Sequence, residues 1–252
     1  MTNQFVVLAA GKGTRMGGDM PKVLVGLKSK PLILHLLHEL EKINQLIKPV
    51  VVVGYQAEKV RAVLGDDYLF AYQSKQLGTA HALLAAKEKV RAENILVLYG
   101  DMPFIRAESL RSLMKLHRDK AAKISMLTSR VESFQDPYNS LETYGRIIRE
   151  PQYEKNKELE SKIVKIVEYK DATEEERKIT EVNPGIYMFN TEWLWPNLEK
   201  IKNGNAQSEY YLTDIVALAI GQNVSVSTLS VNPKEVLGVN TPEHLEVAKE
   251  LV

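Results

Sequence analysis

The chain of 252 residues contains no cysteine. That absence removes disulfides, thiolate nucleophiles and cysteine-built zinc sites together. No sign of charge prevails either: 33 lysines and arginines stand against 32 aspartates and glutamates, so no long-range field draws in nucleic acid or an anionic membrane surface. Any bound anion must be held by local groups. No apolar run approaches the roughly 20 residues that a membrane helix needs, and Met1-Thr2-Asn3-Gln4 lacks the basic opening of a signal peptide. The expectation is a cytoplasmic protein that touches neither membrane nor nucleic acid. Serine- and zinc-based signatures are also missing, with no G-x-S-x-G and no H-E-x-x-H. His35, His38 and His117 fall in helical patterns, and His81 is read as a packing residue.

What is present begins at residue 5. The apolar run Phe5-Val6-Val7 leads directly into Leu8-Ala-Ala-Gly-Lys-Gly-Thr-Arg-Met-Gly-Gly-Asp-Met-Pro-Lys22, a strand that delivers the backbone into a loop holding glycines, Lys12 and Arg15. Glycines let the main chain approach an anion and aim successive N–H groups at it, while Arg15 can fork onto two phosphate oxygens. The dinucleotide fingerprint fails by one residue, because the third glycine is Gly17, and the Walker form is absent. A plain glycine-rich turn is the simpler reading of the glycines alone. Lys12, Arg15 and Lys22 together favour a triphosphate site.

Strand and helix then alternate. A helix is predicted from Pro31 to Leu40, a buried strand from Pro49 to Gly54, a helix from Gln56 to Leu64, a strand from Tyr68 to Gln73, a helix from Gly78, and a strand from Asn94 to Tyr99. This order argues for a Rossmann-like, doubly wound α/β fold with a mixed sheet, whose ligands sit at the carboxyl ends of the strands. From about residue 122 the pattern becomes β-rich, with segments Lys123 to Val131, Gly145 to Arg149, Ile163 to Tyr169 and Val182 to Phe189. We read one domain over 1–252: a nucleotide-binding part (1–121), a smaller β-rich lobe (122–229) and a C-terminal segment (230–252). The charged stretches Tyr153 to Lys162 and Thr173 to Lys178 read as solvated loops or short helices.

Asp101 follows a buried strand and precedes Met102-Pro103, so its carboxylate should emerge at the ligand edge. It could hold Mg²⁺, a hard ion that takes few protein oxygens, or it could cap the following helix.

Eight blocks carry a family resemblance, in order: Leu8 to Met16, Pro21 to Leu24, Gln76 to Ala82, Tyr99 to Pro103, Tyr144 to Ile147, Ile166 to Glu168, Glu209 to Asp214, and Gly238 to Asn240. Over nearly its whole length the chain resembles the uridylyltransferase domain of bacterial N-acetylglucosamine-1-phosphate uridylyltransferases. The resemblance implies that UTP and N-acetylglucosamine 1-phosphate give UDP-N-acetylglucosamine and pyrophosphate, with Mg²⁺ as cofactor. It implies a triphosphate held by Gly11, Gly13, Thr14 and Arg15, and uracil and ribose read by Leu8, Ala9, Gln73, Gly78 and Thr79. Lys22 would sit near the α-phosphate, and Asp101 and Asn240 would bind the metal. Gly145, Glu168 and Asn183 would hold the amino sugar, with Tyr99 lining the same cavity. Arg15, Lys22 and Asp101 form the expected catalytic set.

Without the family, Glu168 reads as an exposed strand end and Asn183, before Pro184-Gly185, as a turn residue. The chain also departs from the family. Pro184 replaces a usual threonine and removes a backbone donor, and residues 131 to 144 and 151 to 161 are longer than is typical. No hexapeptide repeats follow up to Val252, so neither acetyltransferase activity nor trimerisation through a β-helix is expected, and a monomer or weak dimer is. Two other readings stay open: the same reaction with another sugar 1-phosphate or with dTTP, and a non-catalytic nucleotide-sugar-binding regulatory subunit on the same fold.

Overall fold

The computed structural model describes residues 1–17, 19–43, 47–150 and 162–252. The charged stretch read from Tyr153 lies, except for Lys162, outside the described residues.

The first half winds as the alternation predicts. Strand β1 (Asn3–Leu8) feeds the glycine loop, which returns through a two-stranded ribbon, β2 (Gly26–Leu27) and β3 (Lys30–Pro31), into helix α1 (Leu32–Glu41). Then come β4 (Val50–Val53), α2 (Ala57–Leu64), β5 (Leu69–Tyr72), α3 (Thr79–Ala85) and β6 (Asn94–Tyr99). These strands pair in parallel in the order β5-β4-β1-β6. Both faces of this sheet are covered, which is why its strands carry continuous apolar runs, Phe5 to Leu8, Val50 to Val53 and Ile95 to Leu98, rather than alternating with polar residues. Val6, Leu8, Val50 and Val52 pack beneath one layer, with Leu83 of α3. Phe5, Val7, Val51 and Val53 pack beneath the other, with Leu36 of α1 and Val60 of α2.

Helix α4 (Ala107–Asp119) leads into β7 (Ile124–Arg130), and β8 (Gly145–Arg149), β9 (Ile163–Val167), α5 (Glu174–Arg177), β10 (Glu181–Asn183) and β11 (Tyr187–Asn190) follow. The chain closes with α6 (Thr191–Leu198), α7 (Asp214–Gly221), β12 (Val226–Val231) and α8 (Pro242–Leu251). The run Thr173 to Lys178 is the short helix α5, started by a capping box in which Thr173 and Glu176 exchange hydrogen bonds. The later strands join the same sheet, which extends as β6-β11-β7-β10-β8-β9 with β12 along the other edge of β7.

One strand of the sequence reading becomes two. Residues 182 to 189 run antiparallel along a single edge of β7, but the register changes between Val182↔Ser129 and Tyr187↔Met126. At that break the outer partner changes as well: β11 pairs with β6, whereas β10 pairs with β8. Pro184 stands at the interruption, where its missing N–H leaves no ladder bond unmade. Beyond Tyr99, the last residue of β6, the row is resumed by β8 from Gly145, and a cleft opens between them.

Candidate functional site

The glycine loop is shaped around a lysine. Gly13 has φ 65°, and a Cβ at that position would lie 2.5 Å from Cβ of Lys22. Only glycine accepts both the conformation and the approach. Thr14–Met16 then makes a single 3-10 turn that carries exposed Arg15 toward the cleft, while Gly11 stands open to solvent. Lys12 leans the other way, 5.3 Å over the ring of Tyr55.

Lys22 sits where three distant segments meet. Its Nζ donates to Asp101 Oδ2 and, at 2.8 Å, to Asn240 Oδ1; Arg15 reaches the same Asn240 oxygen at 3.4 Å. The C-terminal loop is held there by the backbone, since Val239 N–H donates to the Asp101 carbonyl at 3.0 Å. Tyr144 secures it from the far side through a hydrogen bond from its hydroxyl to the Val236 carbonyl, 2.9 Å. Asp101 does not cap α4, whose N-cap position is Arg106. Two oxygens 139 positions apart in sequence thus converge on one cationic centre. That donor set suits a hard divalent cation that keeps most of its water. Among the described residues no cluster of three or more histidines, cysteines or carboxylates forms a closed cage.

Near the first loop, Leu8 and Ala9 are buried at the end of β1 and Gln73 at the end of β5. Gln73 Nε2 donates to the Gly78 carbonyl at 3.1 Å and also meets His81 Nδ1 at 3.0 Å. The carbonyl can only accept, so the amide nitrogen faces it; His81 Nδ1 therefore also accepts, and the ring carries its proton on Nε2. His81, read from sequence as packing, accepts from the Gln73 amide that the Gly78 carbonyl orients.

On the opposite side, Gly145, Glu168, Asn183 and Tyr99 come together. Asn183 is both turn and wall: its Oδ1 accepts from Gly185 N–H at 2.9 Å and its Nδ2 donates to Tyr187 at 2.8 Å, while the residue lines the cleft. Glu168 is half-buried rather than exposed, and Thr213 donates to its Oε1 at 2.8 Å. Burial raises its pKa above the ordinary carboxylate value; the Thr213 hydrogen bond opposes this, and the charges of Asp214 and Asp171 add to it. Burial likewise raises the Tyr99 phenol, which stays neutral.

Some of these groups line one cleft of about 250 Å³, which Lys22 borders through its bonds to Asp101 and Asn240. Arg15, Asp101 and Asn240 stand at its charged end, Thr79 and Tyr99 in its wall, and Gly145, Glu168, Asn183 and Pro184 on the other side. Leu8, Ala9, Gly11, Gly13, Gln73 and Gly78 lie outside its lining, around the first loop and the end of β5. Thr213, Tyr211 and Glu209 also line it, although no role attached to their sequence block. Among the described residues no helix is long and apolar enough to cross a membrane.

Residues 5–184 match the MobA-like NTP transferase domain. The chain is 41% identical over 250 residues to the "Bifunctional protein GlmU" of Caldicellulosiruptor saccharolyticus, covering 98% of this chain and 51% of the relative. It is 43% identical over 237 residues to the protein of the same name from Carboxydothermus hydrogenoformans, covering 93% and 49%. The chain thus spans about half the length of the curated relatives it matches. Among solved structures, UDP-glucose pyrophosphorylase complexed with UDP-glucose superposes with a TM-score of 0.78 at 18% identity, over 100% of this chain and 98% of that one. CMP:2-keto-3-deoxy-manno-octonic acid synthetase complexed with CTP gives 0.69, also at 18% identity and over the same shares. Those two likenesses concern the fold. The chain belongs to the MobA-like NTP transferase family and is a nucleotidyltransferase.

Proposed function

We propose that this NTP transferase joins UTP to N-acetylglucosamine 1-phosphate, releasing pyrophosphate and forming UDP-N-acetylglucosamine. The observation that carries the reading is the meeting of Arg15, Lys22, Asp101 and Asn240 at one end of a cleft whose other side presents Glu168, Asn183 and Gly145.

A sugar phosphate is already anionic, so its oxygen attacks the α-phosphorus without a general base. One P–O bond forms, the bond to the departing pyrophosphate breaks, and no proton changes hands. What opposes the reaction is repulsion between two phosphates and their misalignment. Lys22 supplies positive charge where they meet, and Arg15 with the loop N–H groups stabilises charge that grows on the leaving group. Asp101 and Asn240 would hold Mg²⁺, which when bound neutralises and aligns the phosphate oxygens. Glu168 and Asn183 offer the acceptors and donors that neutral sugar hydroxyls require.

Proteins of this fold carry different bases and sugars, and Pro184, which has no backbone donor to offer a sugar, stands in the cleft wall beside Asn183. A panel of UTP, dTTP and CTP against several sugar 1-phosphates, with pyrophosphate release and the nucleotide sugar both measured, tests the reading. UTP with N-acetylglucosamine 1-phosphate should give the highest kcat/KM. A different best pair would replace the substrates named here, and no turnover with any pair would leave the regulatory-subunit reading in its place.

A further inference from the structure

We propose that Thr213 is a positioning residue for Glu168, and that residues 209–214 brace the nucleotide and sugar sides of the cleft against each other. The proposal rests on the reading of Glu168 as a sugar-binding group.

The segment runs between α6 and α7 and is tied to the nucleotide-side loop along its length. Tyr210 N–H donates to the Leu77 carbonyl at 2.8 Å, Ala80 N–H to the Tyr210 carbonyl at 2.9 Å, and Leu212 N–H to Thr79 Oγ1 at 3.0 Å. The contact is close enough that a Cβ on Gly78 would lie 2.6 Å from the Tyr210 carbonyl oxygen. The next residue, Thr213, faces the other way and donates its hydroxyl to Glu168 Oε1 at 2.8 Å. Four consecutive residues thus hold the loop of Gly78 and Thr79 with one end and the carboxylate with the other.

The consequence for Glu168 is chemical. A carboxylate has two oxygens and accepts only. With Oε1 engaged by Thr213 beside Gly145, whose lack of a side chain leaves it room, that oxygen is held in place and Oε2 is left for a donor in the cleft. Hydroxyl or amide N–H groups of a sugar are such donors. Burial presses the carboxyl toward its protonated form, the Thr213 donor works against this, and the charges of Asp214 and Asp171 add to it. Thr213 is itself 9% exposed, and valine matches its shape, so Thr213→Val removes the donor while keeping the packing.

Steady-state kinetics of Thr213→Val, Thr213→Ser, Glu168→Gln and the Thr213→Val/Glu168→Gln double variant test this, with thermal melting of each to establish folding. Loss of a hydrogen bond to a charged group should raise KM for N-acetylglucosamine 1-phosphate about ten- to a hundredfold in Thr213→Val, with kcat and KM for UTP within about twofold. Thr213→Ser, which keeps the hydroxyl, should restore the wild-type KM. The double variant should be no worse than Glu168→Gln alone. If Glu168→Gln raises that KM and Thr213→Val does not, or if Thr213→Ser behaves like Thr213→Val, the positioning role is overturned. If Glu168→Gln leaves that KM unchanged, the sugar-binding reading of Glu168 fails instead. Should Thr213→Val not fold, Thr213→Ala carries the same test.

Discussion

Gly13 connects backbone conformation to the placement of a charge. Its positive φ would strain any other residue by about 1–2 kcal/mol, and an added methyl would meet Lys22 Cβ at 2.5 Å. Gly13→Ala should therefore lower the melting temperature by a few degrees and push Lys22 away from Asp101 and Asn240. Turnover should fall more than about tenfold, because a misplaced cation loses its effect where the two phosphates meet. A lower melting temperature with unchanged kcat would show that Lys22 keeps its place. At this scale the charged end of the cleft was legible: Arg15, Lys22, Asp101 and Asn240 fall in sequence blocks and meet through named hydrogen bonds. Thr213 and Glu168 are 45 positions apart, and nothing in either segment announces their bond. His81 was illegible for a related reason, since its task is to accept from Gln73, and that follows only once the Gly78 carbonyl has fixed which way the amide points.

Between elements, His117 fastens α4 to the sheet. Its Nδ1 lies 2.9 Å from Ser125 Oγ on β7 and its Nε2 3.3 Å from Asn94 Oδ1 on β6, in a buried setting. Burial lowers its pKa from 6.5 to about 4. The folded state thus refuses a proton that the unfolded chain accepts below about 6.5, so this contribution to stability is complete above that value and declines as pH falls toward 4. Thermal melting between pH 7 and pH 4 should show a smaller decline in His117→Gln than in the wild type, after each is referred to its own value at pH 7. Parallel curves would contradict the assignment. Elements themselves were legible where one face-independent pattern decides them: the run of four valines in β4 reads as a strand buried on both sides, and it is one. The break within 182 to 189 was not, because it depends on the partner changing from β6 to β8, which no local pattern records.

Over the whole molecule, the cleft exists because a parallel sheet is continued by antiparallel strands that do not follow on in register. β6 ends at Tyr99, β8 begins at Gly145, and the groups proposed to bind phosphate and sugar stand on the two sides of that offset. The alternation of strand and helix makes the first half predictable, and it places ligands at the carboxyl ends of the strands. The continuation through β7 to β12 into one sheet depends on long-range pairing, and the sequence shows only that those segments are β-rich. Asp101 and Asn240 would together hold one divalent cation, which would supply charge where the two phosphates meet. Pyrophosphate release from UTP and N-acetylglucosamine 1-phosphate, followed across a Mg²⁺ titration in the wild type and in Asp101→Asn, tests it most directly. Saturable dependence on Mg²⁺ in the wild type, with a loss of about a hundredfold or more and a higher Mg²⁺ requirement in the variant, is the predicted result. Equal rates in the two proteins, or turnover indifferent to Mg²⁺, would contradict it.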